Sequence, residues 1–542
     1  MPEPSNPQPS NPQPSNAQPS DTQPSDTRPG NPQLSDTRPG NPQPHSSQPD
    51  NSRSGSPHPR APQPGASPSR APRSVDTRSR ASRSKDPAHR TRIHLAAHFP
   101  GVNSTTVWSD PRSGSQIDFD SFEHLARTAE RGRFDFFFLA EGQRLREHQG
   151  KIFESDVAGR PDALTVLAGL AAITDRIGLA ATATATYNEP YELARKIASL
   201  DHLSAGRAAW NVVTSPDAWT GENFRRGGFL PREERYERAI EFVEAARTLW
   251  DSWAPDAHVA DPEGGVFATP DAGRFDYHGR HFAIEGRFTV PRTPQGRPVL
   301  IQAGDSEDGR KFGAAHADVI FSRHGEYDAG RAFYADMKGR AARHGRGPDE
   351  LRILPAVTAV IGATTEEAQE KAAWIRRQQV SPRNAIQFVE QVWGRDLSDL
   401  DPDGPLPDFD PVTDGTTIAR GRVRTGGDPL EVARTWRELA AAKGGLSLRE
   451  VVIEVAARQT FIGTAAHVAE RMEVHVRDGA SDGFILVPHL TPTGLDEFVD
   501  QVVPILQERG VFRAEYEGTT LREHLRLPAP RPAGAHRTDV AV

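Results

Sequence analysis

The chain has 542 residues, no cysteine and a formal net charge of −8, from 65 Lys+Arg against 73 Asp+Glu. The missing cysteines exclude disulfides, thiolate nucleophiles and Cys-ligated metals, and the acidic balance argues against a nucleic-acid partner. Apolar runs are strand-length, far short of the ~20 residues that span a bilayer, and no basic start leads into an apolar stretch at the N-terminus. A cytoplasmic protein with no membrane partner is therefore expected.

Residues 1–90 hold 21 of the 47 prolines and almost no Val, Ile, Leu or Phe. A degenerate repeat runs through them, PSNPQPSNPQPSN and then SDTRPGNPQ twice. Such a segment buries too little apolar surface to offset the entropy of ordering, so a disordered tail is expected. It is mildly basic, 11 Lys+Arg against 7 Asp+Glu, but lacks the dense basic blocks and aromatics of a nucleic-acid arm.

From Ile93 onward, apolar runs of strand length alternate with helical patterns. IHLAAHF (93–99) is a strand, and 118–133 a helix with Phe119, Phe122, Leu125, Ala126 and Ala129 on one face. FDFFFLAEG (134–142) is apolar on both faces, as in a parallel sheet. A helix over 161–173, the strand IGLAATAT (177–184), a helix over 189–203 and the strand RAAWNVVTS (207–215) follow. After a helix at 231–253, residues 254–290 break the rhythm as an insertion. It resumes with PVLIQAG (298–304), a helix through His316, ADVIFS (317–322), a helix over 328–344 and LRILPAVTAVIG (351–362). Residues 365–470 are mostly helical, interrupted by a loop at 396–415; GFILVP (483–488) and a helix at 494–509 complete the set. Eight strand–helix pairs predict an α/β fold, a (β/α)8 TIM barrel with insertions, over 91–527, with a flexible tail at 528–542.

In such a barrel, polar residues at the strands' C-terminal ends converge on one mouth. These are Glu141, then Thr182 and Thr184, then Asn211, Thr214 and Ser215, and finally the turn Gly304-Asp305-Ser306. That turn leads directly into a helix, whose first N–H groups suit a phosphate, although Ser306 reads equally well as a helix cap. Glu141 has an alternative as the salt-bridge partner of Arg144 or Arg146. His98 is the catalytic candidate, set against a hydrogen-bonded loop histidine, and no catalytic residue is assigned. The pairs His278/His281 and His316/His324 lack acidic partners at useful spacing, so no metal site is expected. No G-x-S-x-G elbow, P-loop or strand-bound G-x-G-x-x-G occurs, and glycoside hydrolysis would need two strand-end acids where one is found.

The blocks FFFLAEG, TATYNEPYELARKIASLDHLSAGRAAWNVVTS, ERYERAIEFVEAARTLWDSW, VPRTPQGRPVLIQAGDSEDGR and GFILVPHLTPTGLDEFVDQVVPILQERGVFRAEYEGTTLREHL resemble flavin-dependent monooxygenases of the bacterial-luciferase-like superfamily, in the nitrilotriacetate and dibenzothiophene-sulfone group. The resemblance covers about 91–527. It implies reduced FMN supplied by a separate NAD(P)H:flavin reductase, dioxygen as co-substrate, and oxidation of a small organic substrate, often with C–N or C–S cleavage. It also implies a homo-oligomer. Carried over by position, the flavin contacts are Glu141, Thr184 (or Thr182), Asn211, Thr214, Ser215, Tyr236 and Gly304, Asp305 and Ser306. Three departures stand out: Glu141 where the family usually has Asp, Asp305 beside a supposed phosphate, and AAHFPG in place of a Gly-His-Pro-like segment, with His98 retained. Trp108, Phe137, Trp210, Phe224 and Phe229 are available to line a water-excluding mouth, and 254–290 and 396–415 to cover it. The alternatives are a deazaflavin-dependent dehydrogenase on a related barrel and a non-catalytic flavin-binding protein.

Overall fold

The computed structural model describes residues 92–153, 156–215, 218–224, 234–413, 419–420, 428–457 and 459–530. The expected tail over 1–90, and 531–542 of the expected C-terminal tail, lie outside them. All eight expected strands form and close into one parallel barrel. They are β1 (His94–His98), β2 (Phe136–Leu139), β3 (Gly178–Thr184), β4 (Ala208–Val213), β5 (Val299–Gln302), β6 (Val319–Ser322), β7 (Arg352–Val357) and β8 (Gly483–Leu486). Around it lie α1 (Phe119–Arg131), α2 (Ala163–Ala171), α3 (Pro190–Leu203), α4 (Glu234–Asp251), α5 (Glu307–His316), α6 (Tyr327–Arg343), α7 (Ala465–Arg477) and α8 (Asp496–Glu508).

Local chemistry places the helix ends. Asp162 caps α2 by accepting the Thr165 N–H at 2.8 Å, and Ser306 caps α5 by accepting the Gly309 N–H at 3.2 Å. Pro190 opens α3, where its missing N–H is no loss. Beyond α3 the chain turns through Gly206 at φ +90, a conformation open to glycine at little cost.

The expected single strand over 351–362 divides in two. Its first half is β7; Ala359–Ile361 leaves the barrel to pair in parallel with Phe461–Gly463. Between these segments lies a helical insert, 365–379, 382–393, 429–442 and 448–456, with its own core around Val389, Trp393, Trp436 and Val451. The 254–290 segment is not a free loop. Its hairpin, Arg274–His278 against Ala283–Arg287, is held along α4 by buried Phe275, Phe282 and Phe288 and by Arg280 pairing with Glu237. Residues 396–413 likewise pack on the insert, with Leu397 buried and the Val412 N–H bonded to the Trp393 carbonyl; 414 and 415 lie outside the described residues. No helix among the described residues is long and apolar enough to cross a membrane.

Inside the barrel, alternation turns Ala96, Phe136, Phe138, Ala180, Ala209, Val299, Ile301, Leu354 and Ile485 inward. Leu521, Leu525 and Leu527 join the same cluster from the C-terminal segment and plug its base. Fully buried Asp135 locks that base: it accepts from His94 Nδ1 at 3.0 Å, from the Leu95 N–H at 2.8 Å and from the Arg513 guanidinium. Asp135→Ala strands Arg513 without its carboxylate, and breaking a buried pair this way costs about 3–5 kcal/mol. Urea denaturation should show that loss; a change below about 1 kcal/mol would remove Asp135 as the lock.

Candidate functional site

The C-terminal ends of β1 to β5 are neighbours around the ring, so the side chains singled out from the sequence stand on one arc of a single rim. Register sets their heights. Thr182 lies opposite Asn211 on the adjacent strand, and the Asn211 amide donates to Thr182 Oγ1 at 3.0 Å. One step higher, Ser215 Oγ donates to Thr184 Oγ1 at 3.0 Å, and the Ser215 N–H donates to Thr186 Oγ1 at 3.1 Å. Asn188 closes the loop by donating to the Thr184 carbonyl at 2.8 Å. The Asn211 Oδ1 is buried and has no partner among the described residues, an acceptor that a bound donor would satisfy. Thr214 is half-buried on the same strand end.

On the next strand end, Gly304 and Gly309 enclose the Tyr236 hydroxyl. A Cβ on Gly304 would fall 2.3 Å from Gln302 Nε2 and 2.9 Å from the Tyr236 oxygen, and one on Gly309 would fall 2.8 Å from that oxygen. Only glycine fits, and it leaves Tyr236 Oη 3.4 Å from Ser306 Oγ at the start of α5. The first N–H groups of a helix have no intrahelical acceptor, and its dipole is positive there. The Asp305 carboxylate is held by Arg310 at 2.8 Å, Arg323 at 2.9 Å and His324 at 3.1 Å. Partial burial pushes Asp305 up, but these donors outweigh it and hold the carboxyl below its usual range. Its charge is thus compensated at the turn.

Glu141 follows β2, and the two arginines weighed as its alternative salt-bridge partners pair with other carboxylates. Arg144 pairs with Glu222 at 2.6 Å and Arg146 with Asp156. The Glu141 carboxyl shares a cavity wall with Asp162, the α2 cap. Burial first, and the Asp162 charge second, push Glu141 up to about 7, against the Ala163 N–H and Gln143. Nearby Arg160 is drawn down to about 10 by burial and donates to carbonyls, Ala140 at 3.1 Å and Pro100 at 2.6 Å. A cavity of about 570 Å³ reaches Glu141, Asp162, Thr182 and Asn188 from between α2 and α3.

The apolar lining differs from expectation. Phe137 and Trp210 point out of the barrel into the helical layer, because strand alternation turns Phe136 and Phe138 inward instead. Trp108 is 56% exposed, and Phe229 lies outside the described residues. Phe224 stacks on Tyr187, ring centroids 4.6 Å apart. The interior aromatics are Phe138 and Phe321, stacked at 5.1 Å, with the His98 ring 5.4 Å from Phe138 and its Nδ1 donating to the Phe138 carbonyl at 3.3 Å. Sequence reasoning missed Phe138, Phe321, Asp162 and Arg160. Both faces of FFFL are apolar, which hides the inward parity of Phe138; Asp162 and Arg160 arrive from loops and carry no signal of a place in the site.

Two of the histidines set aside from the sequence do have acidic partners in the structure. His324 meets Asp305, and His278 meets Asp276 and Glu285 across the exposed hairpin, the one group of three possible metal ligands among the described residues. Neither adjoins the hydroxyl ladder.

The loops after β2 and β4 are clasped over the mouth. Arg144 stacks on Trp219 at 4.3 Å, and donates to the Trp219 carbonyl at 2.5 Å; Asn223 donates to the Gln143 carbonyl at 3.0 Å. Arg144→Ala should raise amide hydrogen exchange across 218–224 by tenfold or more while the barrel strands stay protected. Unchanged exchange there would show that the clasp does not hold the loop.

Comparison with known proteins follows the same outline. The family model of luciferase-like monooxygenases matches residues 99–482. The N-acetyl-S-(2-succino)cysteine monooxygenase of Bacillus subtilis (strain 168) is 40% identical, over 81% of this chain and 98% of that protein. Nitrilotriacetate monooxygenase component A of Aminobacter aminovorans is 37% identical, over 76% and 91%. Among solved structures, a riboflavin lyase with modified FMN and riboflavin superposes with a TM-score of 0.65 at 30% identity, covering 80% of this chain and 95% of that one.

Proposed function

The chain belongs to the luciferase-like monooxygenase family, and from that membership we propose that it binds reduced FMN, delivered by a separate NAD(P)H:flavin reductase, and oxidises a small organic substrate with dioxygen, often with C–N or C–S cleavage. The observation that carries the cofactor reading is the rim itself. A hydroxyl ladder, an orphaned buried acceptor and a glycine-framed helix start lie on adjacent strand ends, and this donor set fits a flavin nucleotide. A reductase partner agrees with the designation of the nitrilotriacetate relative as component A.

The residues divide the work. The α5 N-terminus with Ser306 and Tyr236 would hold the phosphate, with Asp305 kept neutralised by Arg310, Arg323 and His324. Thr182, Thr184, Asn211, Thr214, Ser215 and Glu141 would meet the rest of the cofactor. When bound, reduced FMN supplies two electrons and the activation of dioxygen, so the protein's task is orientation and exclusion of water. Phe138, Phe321 and His98 present the apolar floor for that exclusion. One oxygen atom enters the substrate and the other leaves as water, and no side chain is required as nucleophile. A cytoplasmic homo-oligomer is part of this reading.

Titration with reduced and oxidised FMN under anaerobic conditions tests the cofactor. The double variant Ser306→Ala, Tyr236→Phe should weaken FMN about tenfold, the effect of one charge-assisted hydrogen bond, and leave riboflavin, which lacks the phosphate, unchanged. Equal losses for both ligands would move the phosphate away from α5. Oxygen uptake with an added flavin reductase separates oxygenation from hydride transfer.

A further inference from the structure

The base of the barrel, where the strands begin, carries another cavity, of about 210 Å³. Its wall is rich in guanidinium groups: Arg247 from α4, Arg297 just ahead of β5, Arg346 after α6 and Arg522 from the C-terminal segment. The carboxylates on that wall are Asp318 and Glu350. Asp318 is committed to Arg522 at 3.1 Å and to the Leu300 N–H at 2.9 Å, and Arg297 is held from behind by Asp251 at 2.7 Å. Arg346 donates to the Ala314 carbonyl at 2.9 Å and to the Glu350 carbonyl. Arg247 donates to the His316 carbonyl at 2.7 Å and to His316 Nδ1 at 3.3 Å, and makes no ion pair among the described residues. Arg522 is only 8% exposed, yet its Nε–H has no acceptor among the described residues.

Even with Asp251 counted, the guanidiniums here outnumber the carboxylates. Burial first, and then Arg297 and Arg346, draw Arg247 down to about 10, against Asp318 and Asp251. A guanidinium still keeps its proton near neutral pH, so the excess charge stays, and a charge held out of water without a partner is costly. We propose that this cavity binds a small tetrahedral oxyanion of the phosphate class, held by Arg247, Arg346 and the Nε–H of Arg522. The planar fork of arginine matches the spacing of phosphate oxygens. The anion bridges α4, the turn after α6 and the segment that carries Leu521 and Leu525, and so fastens the plug in the barrel base. None of these residues belongs to the strand-end rim, and the inference does not rest on the flavin reading.

Thermal unfolding of the full chain at fixed ionic strength tests the site, with inorganic phosphate as the probe. Exchanging chloride for phosphate at about 10 mM should raise the melting temperature by about 3 °C, and amide hydrogen exchange across 521–527 should slow by about threefold or more. The start of α5 is the other place where phosphate can bind, so the same rise is expected in the double variant Ser306→Ala, Tyr236→Phe. Arg247→Ala should lose most of the rise, measured as the increment over its own melting temperature in chloride. Arg346→Gln should lose it likewise, and serves alone if Arg247→Ala does not fold. A rise abolished by Ser306→Ala, Tyr236→Phe puts the phosphate at α5 and overturns the base site. A rise that survives both arginine variants marks an adventitious ion only, and the absence of any rise overturns the proposal outright.

Discussion

Parallel pairing around a closed ring is the constraint on which the rest depends. Eight strands running the same way must deliver all their carboxyl ends to one rim, and the hydrogen-bond ladder fixes how high each side chain stands there. Thr182 meets Asn211, and Thr184 meets Ser215, across about 30 residues of intervening chain, because β3 and β4 are neighbours in register. A slip of one residue would reverse the faces and send the threonines into the helical layer, where Trp210 now packs against Phe242 and Trp250.

Two acids on this rim are tolerated by opposite means. Asp305 is surrounded by three cationic or hydrogen-bonding partners and stays ionised without projecting its charge into the turn. Glu141 has only Gln143 and the Ala163 N–H beside it, so burial pushes its carboxyl up. The turn at Asp305 is thus electrostatically settled, whereas Glu141 is not.

Most of the architecture was legible in the sequence because each strand is an apolar run bounded by turn residues and each helix keeps its period. The rim residues followed from position alone: a polar residue closing a barrel strand has nowhere else to point. What escaped has equally physical reasons. FFFL is apolar on both faces, so nothing local says that Phe138 faces in and Phe137 out. LRILPAVTAVIG reads as one run because a strand leaving the barrel looks like a strand continuing in it. Asp162 caps its helix locally, and its place in one cavity with Glu141 exists only once α2 packs against β3. The acidic partner of His324 comes from another strand end, and Glu285 joins Asp276 and His278 from across a hairpin, which spacing cannot register.

The plug at the barrel base has a bearing on how the protein is made. Leu521, Leu525 and Leu527 fill the lower interior, and Arg513 completes the cage around Asp135, yet all four emerge from the ribosome after every strand has been synthesised. Until then β1 and β2 surround an unfilled hollow with an unanswered carboxylate at its edge. A cut just upstream of Leu521 removes all three leucines and leaves the lower interior open.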